Sequence, residues 1–494
     1  MTAPITLSPE RTGRRLPERL IGMNSPLTFA LPGDDPASLA PARELGPTYL
    51  RFPGGTVSNF YNWHSGHLDV PTVEGESYLR PIMRTIADVI RARHPDPYTL
   101  EDFVGMADQI GAETIVVPNL ETSTPEDQAA WLTRSRERGV APRLLEMGNE
   151  FFLGLMGDPE SLRRFPDWNS TLDLTRTFVD SMKPHLDQNA RVAVQTAASS
   201  FYVDHDPGSG ILGRCWRWDQ DAKPADWFDA VTAHFYPEFD LFAGPGTSEG
   251  VPEDIDRLYH ALMGRADMGL ARVLASIQDR FPGKEIWITE WSAWPLSIGG
   301  WLREKPLPDL PEHPAFAPFH AVWLPYICRM LLSMLRCPDV TVILYHALSF
   351  TGGVWGLFDR DDRGDYVPIG PCEILRWFID ACHGAEYRSL VPSSMRRVAG
   401  GTPIPDESYP EIDGALFSRG NERTLLIQNA AFAARSIDLT HLLGQHEPDS
   451  VEVMLTPDLL AVLDHELPPI VEAKVLSGVI EIEGPSLARI RWRA

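Results

Sequence analysis

The sequence predicts a (β/α)8 barrel followed by a smaller antiparallel β-sandwich, and three observations support this prediction. Short β-like runs alternate with helical patterns over roughly 360 residues, which is typical of parallel strands joined by helices. Eight such runs can be distinguished, and a closed parallel barrel needs that number of strands. The chain has 494 residues, more than one compact core usually holds, so a large domain and a smaller one are expected.

Each predicted barrel strand is a short apolar or β-branched run that ends near a polar side chain. In chain order the eight strands are Leu20–Ser25, Thr48–Pro53, Thr114–Asn119, Leu144–Glu150, Arg191–Ala197, Ala230–Tyr236, Ile286–Trp291 and Val340–Ala347. A doubly wound open sheet is the alternative fold. Its usual strand count is lower, and the glycine-rich phosphate turn that follows its first strand is missing from this sequence.

Start signals mark several of the helices between these strands. Thr99 and Thr124 stand where capping residues are expected, because acids follow each of them in the first turn, and a proline follows Thr124 directly. A third helix is predicted after a cap at Ser170 or Thr171. A fourth covers Phe319–Leu335 and is apolar enough to pack on several sides.

The chain divides into two predicted domains at Ala385. Residues 18–384 form the barrel, and residues 385–494 form the β-sandwich, with the N-terminal segment 1–17 adding a strand through Ile5-Thr-Leu. Short segments separated by Pro, Gly and Asp are typical of such a sandwich. The clearest of them are Arg423–Gln428, Ser450–Leu455 and Val475–Ile482.

The composition indicates an ordinary globular protein. Apolar residues make up 43% of the chain and charged residues 23%, as in soluble domains generally. The first residues contain no apolar segment flanked by basic ones, and no run approaches the roughly 18 consecutive apolar residues of a membrane span. We therefore expect a cytoplasmic chain without a membrane partner.

Charge and cysteine content exclude further classes of partner and cofactor. A formal net charge of −24 disfavours nucleic acid, which needs a concentrated positive field. The five cysteines contain no CxxC pair, so neither a disulfide framework nor a zinc site is expected. Asp204-His-Asp206 lacks a third ligand at fixed spacing, and Asp359–Gly364 has Arg363 at a calcium-ligand position. No metal and no other cofactor is expected.

Polar and aromatic side chains collect where the predicted strands end, and chemistry on a barrel lies at that face. These residues are Arg51, Asn119, Asn149, Glu150, His234, Tyr236, Glu290, Trp291, Tyr345 and His346. Their distribution along six strands favours a catalytic face more strongly than any one of them does.

Two glutamates end strongly apolar runs on the fourth and seventh predicted strands. Glu150 closes Arg143-Leu-Leu-Glu-Met-Gly-Asn-Glu150, and Glu290 stands in Glu285-Ile-Trp-Ile-Thr-Glu290-Trp291. Either carboxylate alone is explained equally well by a structural ion pair. Together they are what glycoside hydrolysis through a covalent intermediate requires, so a carbohydrate substrate is expected.

Aromatic residues in the loops after these strands are candidates for sugar contacts. Trp63 with Phe60 and Tyr61, Trp294 with Trp301, and Trp355 could each stack on a pyranose face. The alternative is that each ring packs beneath a long loop. Long loops would wall a pocket, which favours an exo-acting enzyme or one for short oligosaccharides.

Several short motifs in this sequence resemble those of known enzyme families. Asn149-Glu150 together with Thr289-Glu290-Trp291 resembles glycoside hydrolase clan A, whose retaining enzymes carry their two catalytic carboxylates on strands four and seven. The segment Arg51-Phe-Pro-Gly-Gly-Thr-Val-Ser-Asn-Phe-Tyr-Asn-Trp63 resembles family 51 α-L-arabinofuranosidases, and also β-glucuronidase and heparanase family 79 and β-xylosidase family 39. The appended β-sandwich fits all three families.

The resemblance implies a role for each matching residue. It makes Glu150 the general acid/base and Glu290 the nucleophile. Arg51 and Tyr236 would hold Glu290 ionised, Asn149 would hydrogen-bond the hydroxyl beside the anomeric carbon, and His234 would support the site. Glu150, flanked by Phe151 and Phe152, would carry the proton because apolar surroundings disfavour a charged carboxylate.

The chain also departs from these families. Thr56 follows the Pro-Gly-Gly turn where family 51 has an asparagine, and the first strand ends at Asn24 where that family has a glutamate. The expected activity is a retaining O-glycosidase acting by double displacement. A transglycosidase with the same residues and a catalytically silent carbohydrate-binding barrel are the alternatives, and the sugar, its linkage and the oligomeric state stay open.

Overall fold

The computed structural model describes residues 4–25, 35–203, 205–237, 255–294, 318–350, 353–393, 397–399, 407–463 and 466–494. Trp301 and Asp204, both named above, lie outside these residues. The strands are β1 (Ile5–Pro9), β2 (Arg14–Arg15), β3 (Ile21–Asn24), β4 (Tyr49–Phe52), β5 (Tyr61–Asn62), β6 (His67–Leu68), β7 (Glu113–Val116), β8 (Leu144–Glu146), β9 (Arg191–Gln195), β10 (Ala230–Phe235), β11 (Glu285–Trp291), β12 (Val340–His346), β13 (Phe358–Arg360), β14 (Tyr366–Pro368), β15 (Glu386–Pro392), β16 (Arg397–Ala399), β17 (Ser408–Pro410), β18 (Ile412–Arg419), β19 (Glu422–Asn429), β20 (Arg435–Asp438), β21 (Ser450–Leu455), β22 (Ile470–Glu472), β23 (Val479–Ile482) and β24 (Ser486–Arg493).

The helices alternate with the barrel strands over most of the chain. They are α1 (Leu39–Leu45), α2 (Leu79–Arg93), α3 (Leu100–Ile110), α4 (Pro125–Glu137), α5 (Gly154–Gly157), α6 (Pro159–Arg164), α7 (Trp168–Met182), α8 (Gly210–Asp221), α9 (Ile255–Gly264), α10 (Leu270–Arg280), α11 (Trp323–Arg336), α12 (Cys372–Cys382) and α13 (Thr440–Leu443). A π-helical turn at Arg265–Gly269 joins α9 to α10. In the part of the chain that is described, no helix is long and apolar enough to cross a membrane.

Eight parallel strands close into a barrel in the order β3, β4, β7, β8, β9, β10, β11, β12 and back to β3. This confirms the predicted (β/α)8 barrel and excludes a doubly wound sheet, which would leave two edges open. The interior is filled by large and small apolar side chains from seven of the strands: Tyr49, Ile115, Leu144, Ala193, Ala230, Trp287, Val342 and Leu344. Such a filled interior places any reaction at the rim, not inside the barrel.

Two barrel strands end three or more residues earlier than the apolar runs predict. β8 ends at Glu146, because Gly148 adopts φ 80° and turns the chain out of the sheet. β7 ends at Val116, three residues before Asn119. Glu150 and Asn119 therefore lie on the loops that follow their strands.

The helix caps agree with the sequence at two of three positions. Thr99 forms a complete capping box with Asp102, and the Thr124 side chain accepts from the backbone N–H of Asp127. The predicted cap at Ser170 or Thr171 is wrong. Asp167 caps α7, and its carboxylate accepts a 2.8 Å hydrogen bond from the backbone N–H of Ser170.

Ten of the remaining strands form a mostly antiparallel sheet, as predicted, with the order β22, β21, β24, β19, β18, β15, β1, β20, β23 and with β2 paired to β15. The other six form the two-stranded sheets β5–β6, β13–β14 and β16–β17. β1 lies between β15, to which it is antiparallel, and β20, to which it is parallel. Arg329 on α11 joins this sheet to the barrel. Its buried guanidinium donates to Asp413 at 2.9 Å and to Gln428 at 2.7 Å.

Candidate active site

The carboxyl ends of four barrel strands bring four charged side chains together. Arg51 comes from β4, Glu146 from β8, His234 from β10 and Glu290 from β11, and each is at least nine-tenths buried. Parallel strands of a closed barrel direct their ends to one face, so residues distant in sequence meet there. The result is a compact network of charges beneath the loops.

Arg51 is the centre of this network. Its Nε and Nη2 donate to the two carboxylate oxygens of Glu146 at 2.6 and 2.9 Å. Nη1 donates to Glu290 Oε1 at 2.5 Å, and Nη2 also donates to Asn149 Oδ1 at 2.9 Å. A guanidinium bound in this way is a fixed cation, because all of its nitrogens are engaged by oxygen acceptors.

Glu290 receives hydrogen bonds at both carboxylate oxygens. Tyr236 Oη donates to Oε2 at 2.7 Å, opposite the Arg51 contact at Oε1. Burial alone would raise the pKa of Glu290, but the positive charges of His234 and Arg51 outweigh it and hold the pKa well below its usual range. Burial and the Glu290 charge raise the pKa of Tyr236, so its hydroxyl keeps its proton and donates.

Glu150 lies on the loop after β8, in a left-handed conformation with φ 52°, directly before a 3-10 turn at Phe151–Leu153. Its side chain is 19% exposed, and Oε1 lies 2.8 Å from His234 Nδ1. Phe151 stacks on Phe165 and Phe152 packs edge-on against Trp218. Both rings are thus engaged with other aromatic side chains, and the carboxylate hydrogen-bonds to His234.

His234 lies between the two glutamates. Nε2 lies 3.0 Å from Thr289 Oγ1, which donates onward to Glu146 Oε1 at 2.8 Å, so Nε2 must carry a hydrogen. Burial would lower the pKa of His234, but the negative charge of Glu290, the nearby carboxylate of Glu146 and the hydrogen bond to Glu150 raise it to about 10. His234 is therefore an imidazolium that donates Nδ1–H to Glu150.

The two candidate catalytic carboxylates are close together. One oxygen of Glu150, one oxygen of Glu290 and one nitrogen of His234 all lie within 4.8 Å of one another. Retaining glycosidases hold their carboxyl groups about 5 to 5.5 Å apart, and inverting enzymes about 6.5 to 9.5 Å apart. A distance under 4.8 Å between the nearest oxygens is compatible with the shorter of these two separations.

The same three side chains are also potential ligands of a divalent cation, since carboxylates and imidazole are common donors. A cation would have to displace the Nδ1 proton of His234 and compete with Arg51 for Glu290. The charges already present on these residues therefore favour a hydrogen-bonded carboxylate pair over a metal centre.

An aromatic cluster, formed by Tyr236, Trp294, His346 and Trp355, lies beside Glu290. Trp294 is 5.2 Å from Tyr236 and 5.7 Å from Trp355 between ring centroids, and Trp355 is 4.9 Å from His346. The Trp355 indole donates to the Ala293 carbonyl at 3.0 Å. Since Trp294 and Trp355 are half-buried, their rings form an apolar surface next to Glu290.

Four other predicted site residues make different contacts. Trp291 and Tyr345 are fully buried and pack edge-on against each other in the large core cluster. Asn119 is occupied in its own loop, where it donates to the Tyr61 carbonyl and to Thr122. The ring of Trp63 stacks on His64 and lies under Arg134. Among the described contacts, none of these four joins the charged network.

The sequence pattern does not predict the contacts that Thr289, Asn24 and Glu146 make at this site. Glu146 stands four residues before Glu150 within an apolar run, and a fully buried acid there requires a cation. Arg51 on a nearby strand supplies it. Asn24 Nδ2 lies 2.7 Å from His346 Nδ1, a contact between the first and last barrel strands that appears only when the barrel closes.

No protein-family model and no curated protein sequence matches this chain. Among solved structures it is similar to a family 51 α-L-arabinofuranosidase from Bifidobacterium longum, with TM-score 0.71 and 14% identity over 100% of both chains. It is similar to the GH51 arabinofuranosidase from Xanthomonas axonopodis pv. citri, with TM-score 0.69 and 13% identity over 99% of this chain and 100% of that one.

A third similar structure is a Paenibacillus polymyxa xyloglucanase from glycoside hydrolase family 44, with TM-score 0.56 and 12% identity over 99% of this chain and 100% of that one. Identities this low show a shared fold and nothing finer. The comparisons confirm the barrel with its appended β-sheet domain, and at the level of the fold they confirm the predicted resemblance to clan A glycoside hydrolases.

Proposed function

We propose that this protein is a retaining glycoside hydrolase that cleaves a small glycoside or oligosaccharide by double displacement. The observation that carries the proposal is the pair of carboxylates, Glu150 and Glu290, with oxygens within 4.8 Å of each other. The unequal surroundings of the two groups support unequal roles. Glu290 is bound by a cation and a hydroxyl, whereas Glu150 is partly exposed and, among the described residues, hydrogen-bonds to His234.

In the first step, Glu290 attacks the anomeric carbon and the bond from that carbon to the leaving oxygen breaks. Glu150 gives its proton to the leaving oxygen and becomes a carboxylate. The Nδ1–H of His234 points at Oε1 of Glu150 and stabilises the negative charge that forms there. Arg51 and Tyr236 hold Glu290 in position and keep it ionised before it attacks.

In the second step, Glu150 removes a proton from water, and the resulting hydroxide equivalent attacks the same anomeric carbon. The ester to Glu290 breaks, and the sugar leaves with its original anomeric configuration. Asn149 fits a role at the sugar hydroxyl beside the anomeric carbon. Its Oδ1 is fixed by Arg51, and its buried Nδ2 has no partner among the described residues.

A panel of aryl glycosides tests the proposal directly. It contains the 4-nitrophenyl arabinofuranoside, xyloside, glucuronide, glucoside, galactoside and fucoside, and proton NMR follows the first-formed product of whichever is cleaved. Retention of configuration is expected. A first-formed product of inverted configuration would contradict double displacement, and a lack of turnover on the whole panel would favour the silent carbohydrate-binding barrel.

A further inference from the structure

The two ends of the loop between β8 and α7 are joined by a single guanidinium. It belongs to Arg214 on α8, and among the described residues it donates to four main-chain carbonyls. Nε donates to the carbonyl of Phe152 at 2.9 Å, and Nη1 donates to that of Pro166 at 2.7 Å. Nη2 donates to the carbonyls of Phe151, at 3.0 Å, and of Phe165. One side chain therefore ties the first residues of this loop to its last.

Aromatic contacts hold the same two ends together. The ring of Phe151 stacks on the ring of Phe165, with their centroids 3.8 Å apart. The Arg214 guanidinium lies over the ring of Trp218, 5.5 Å from its centroid, one turn further along α8. A guanidinium that is bound at its nitrogens and also lies over an aromatic ring has little freedom to move. Arg214 is therefore a fixed link between α8 and both ends of the loop.

The loop needs such support because its backbone is strained. Glu150, Leu155 and Met156 have side chains and yet adopt positive φ angles of 52°, 41° and 53°. This left-handed region is unfavourable for residues other than glycine, and it persists where the surrounding structure imposes it. Without the hydrogen bonds from Arg214, we expect the loop to relax toward ordinary φ angles. The side chain of Glu150 would then turn with its backbone.

Gln195, the last residue of β9, holds the turn that precedes these contacts. Its Oε1 accepts from the backbone N–H of Phe151 at 3.1 Å, and its Nε2 donates to the carbonyl of Met147 at 3.4 Å. The turn that contains Glu150 is thus fixed to the barrel by Gln195. The chain directly after the turn is fixed to α8 by Arg214.

We propose, on the basis of the glycosidase function proposed above, that Arg214 is a positioning residue for the acid/base Glu150. It acts through the backbone. Its hydrogen bonds hold the loop in the conformation that places the Glu150 carboxylate 2.8 Å from His234 Nδ1 and within 4.8 Å of Glu290. Glu290 stands on β11 and is held by separate contacts. Loss of Arg214 therefore impairs proton transfer and leaves attack by Glu290 intact.

A comparison of two leaving groups tests the proposal. The probes are the phenyl and the 2,4-dinitrophenyl glycoside of the sugar that the wild type hydrolyses fastest. Dinitrophenolate departs without a proton, whereas phenolate needs one from the general acid. Arg214→Met should lower kcat/KM roughly 10- to 100-fold for the phenyl glycoside. For the dinitrophenyl glycoside the loss should be less than about threefold.

Azide provides a second readout on the same variant. Water needs Glu150 as general base in the second step, and azide does not. With the dinitrophenyl glycoside, azide should raise kcat of Arg214→Met and give a glycosyl azide of retained configuration. It should change kcat of the wild type little.

Arg14→Met is the matched control. Arg14 also donates to two main-chain carbonyls, those of Leu335 and Cys337, and it lies over the Tyr387 ring, 5.5 Å from the centroid. These carbonyls precede β12, at the end of the barrel opposite to the candidate site. Arg14→Met should lower the melting temperature, and the ratio of its two kcat/KM values should equal that of the wild type.

Equal losses on the two glycosides in Arg214→Met, or no loss on either, would overturn the proposal and leave the glycosidase function intact. A wild type that hydrolyses no aryl glycoside would overturn both. Arg214→Lys keeps the charge and offers one nitrogen in place of three, so it should show the same selective loss on the phenyl glycoside. This second variant decides the proposal if Arg214→Met does not fold.

Discussion

Arg51 and Glu290 form a buried ion pair in which Nη1 lies 2.5 Å from Oε1, and their side chains are 0% and 6% exposed. The same guanidinium binds both oxygens of Glu146, so it is fixed independently of Glu290. A cation held by a second carboxylate keeps its position through the esterification of Glu290 that the proposed mechanism requires. The pair therefore provides a permanent electrostatic bias toward ionised Glu290.

Replacing Arg51 with methionine should raise the pKa of Glu290. A neighbouring opposite charge typically lowers a carboxyl pKa by about 1 to 3 units, so its loss should move the acidic limb of the kcat/KM profile upward by a similar amount. The measurement is a pH-rate profile on an aryl glycoside. Arg51→Lys, which keeps the charge, is the matched control, and an unmoved acidic limb in Arg51→Met would contradict this role.

Tyr236→Phe removes the hydrogen bond to Glu290 Oε2 and keeps the ring in the aromatic cluster. A hydrogen bond to a charged group contributes about 1.5 to 3 kcal/mol, so kcat/KM should fall roughly 10- to 100-fold. Steady-state kinetics on the same aryl glycoside measure this loss. Trp355→Phe, which changes the aromatic cluster without touching Glu290, should not shift the acidic limb, whereas Tyr236→Phe should move it upward.

Azide should distinguish the roles of the two glutamates. Glu290→Gly should lose turnover by roughly 10⁴-fold or more, and azide entering the space should restore it with a glycosyl azide of inverted configuration. Glu150→Ala should instead give an azide product of retained configuration, because the covalent intermediate still forms. NMR of the two products checks both outcomes, and the opposite pairing of products and variants would exchange the assigned roles.

His234 should make stability depend on pH. Its folded pKa of about 10 lies above the ordinary value of 6.5, so its contribution is complete below the ordinary value and is lost as pH rises through about 10. The melting temperature of the wild type should therefore exceed that of His234→Gln by a few degrees near neutral pH. The difference should shrink toward pH 10, and a constant or growing difference would show that the imidazole is buried neutral.

Much of the fold could be predicted because barrel strands are apolar runs of defined length, such as Ile286–Trp291. The ends of the strands are harder to predict from the sequence. Gly148, for example, turns the chain at φ 80°, and no hydrophobic pattern marks that turn. The sequence does not distinguish between the possible caps of α7, because Asp167 and Ser170 are both good capping residues. The structure shows that the Asp167 carboxylate accepts from the Ser170 N–H.

The sequence pattern indicates the two carboxylates of the candidate site, but it does not indicate the hydrogen bonds that join them to other residues. Glu150 and Glu290 stand out at the ends of apolar runs in the sequence. The path from Glu150 through His234 and Thr289 to Glu146 joins three strands that meet only after closure. Trp291 and Tyr345 stand on the same strand ends with their rings packed in the core cluster. A position at a strand end therefore does not by itself predict the face to which a side chain points.

Trapping of the covalent intermediate is the most direct test of Glu290 as the nucleophile of a retaining glycosidase. The protein is incubated with 2-deoxy-2-fluoro glycosyl fluorides of the sugars in the aryl glycoside panel, and intact mass is followed by peptide mapping. We expect a mass increase of one fluoroglycosyl group, located on Glu290 and absent from Glu290→Gln. A stable adduct on Glu150, or turnover of the parent glycoside with no adduct from its fluoro analogue, would contradict it.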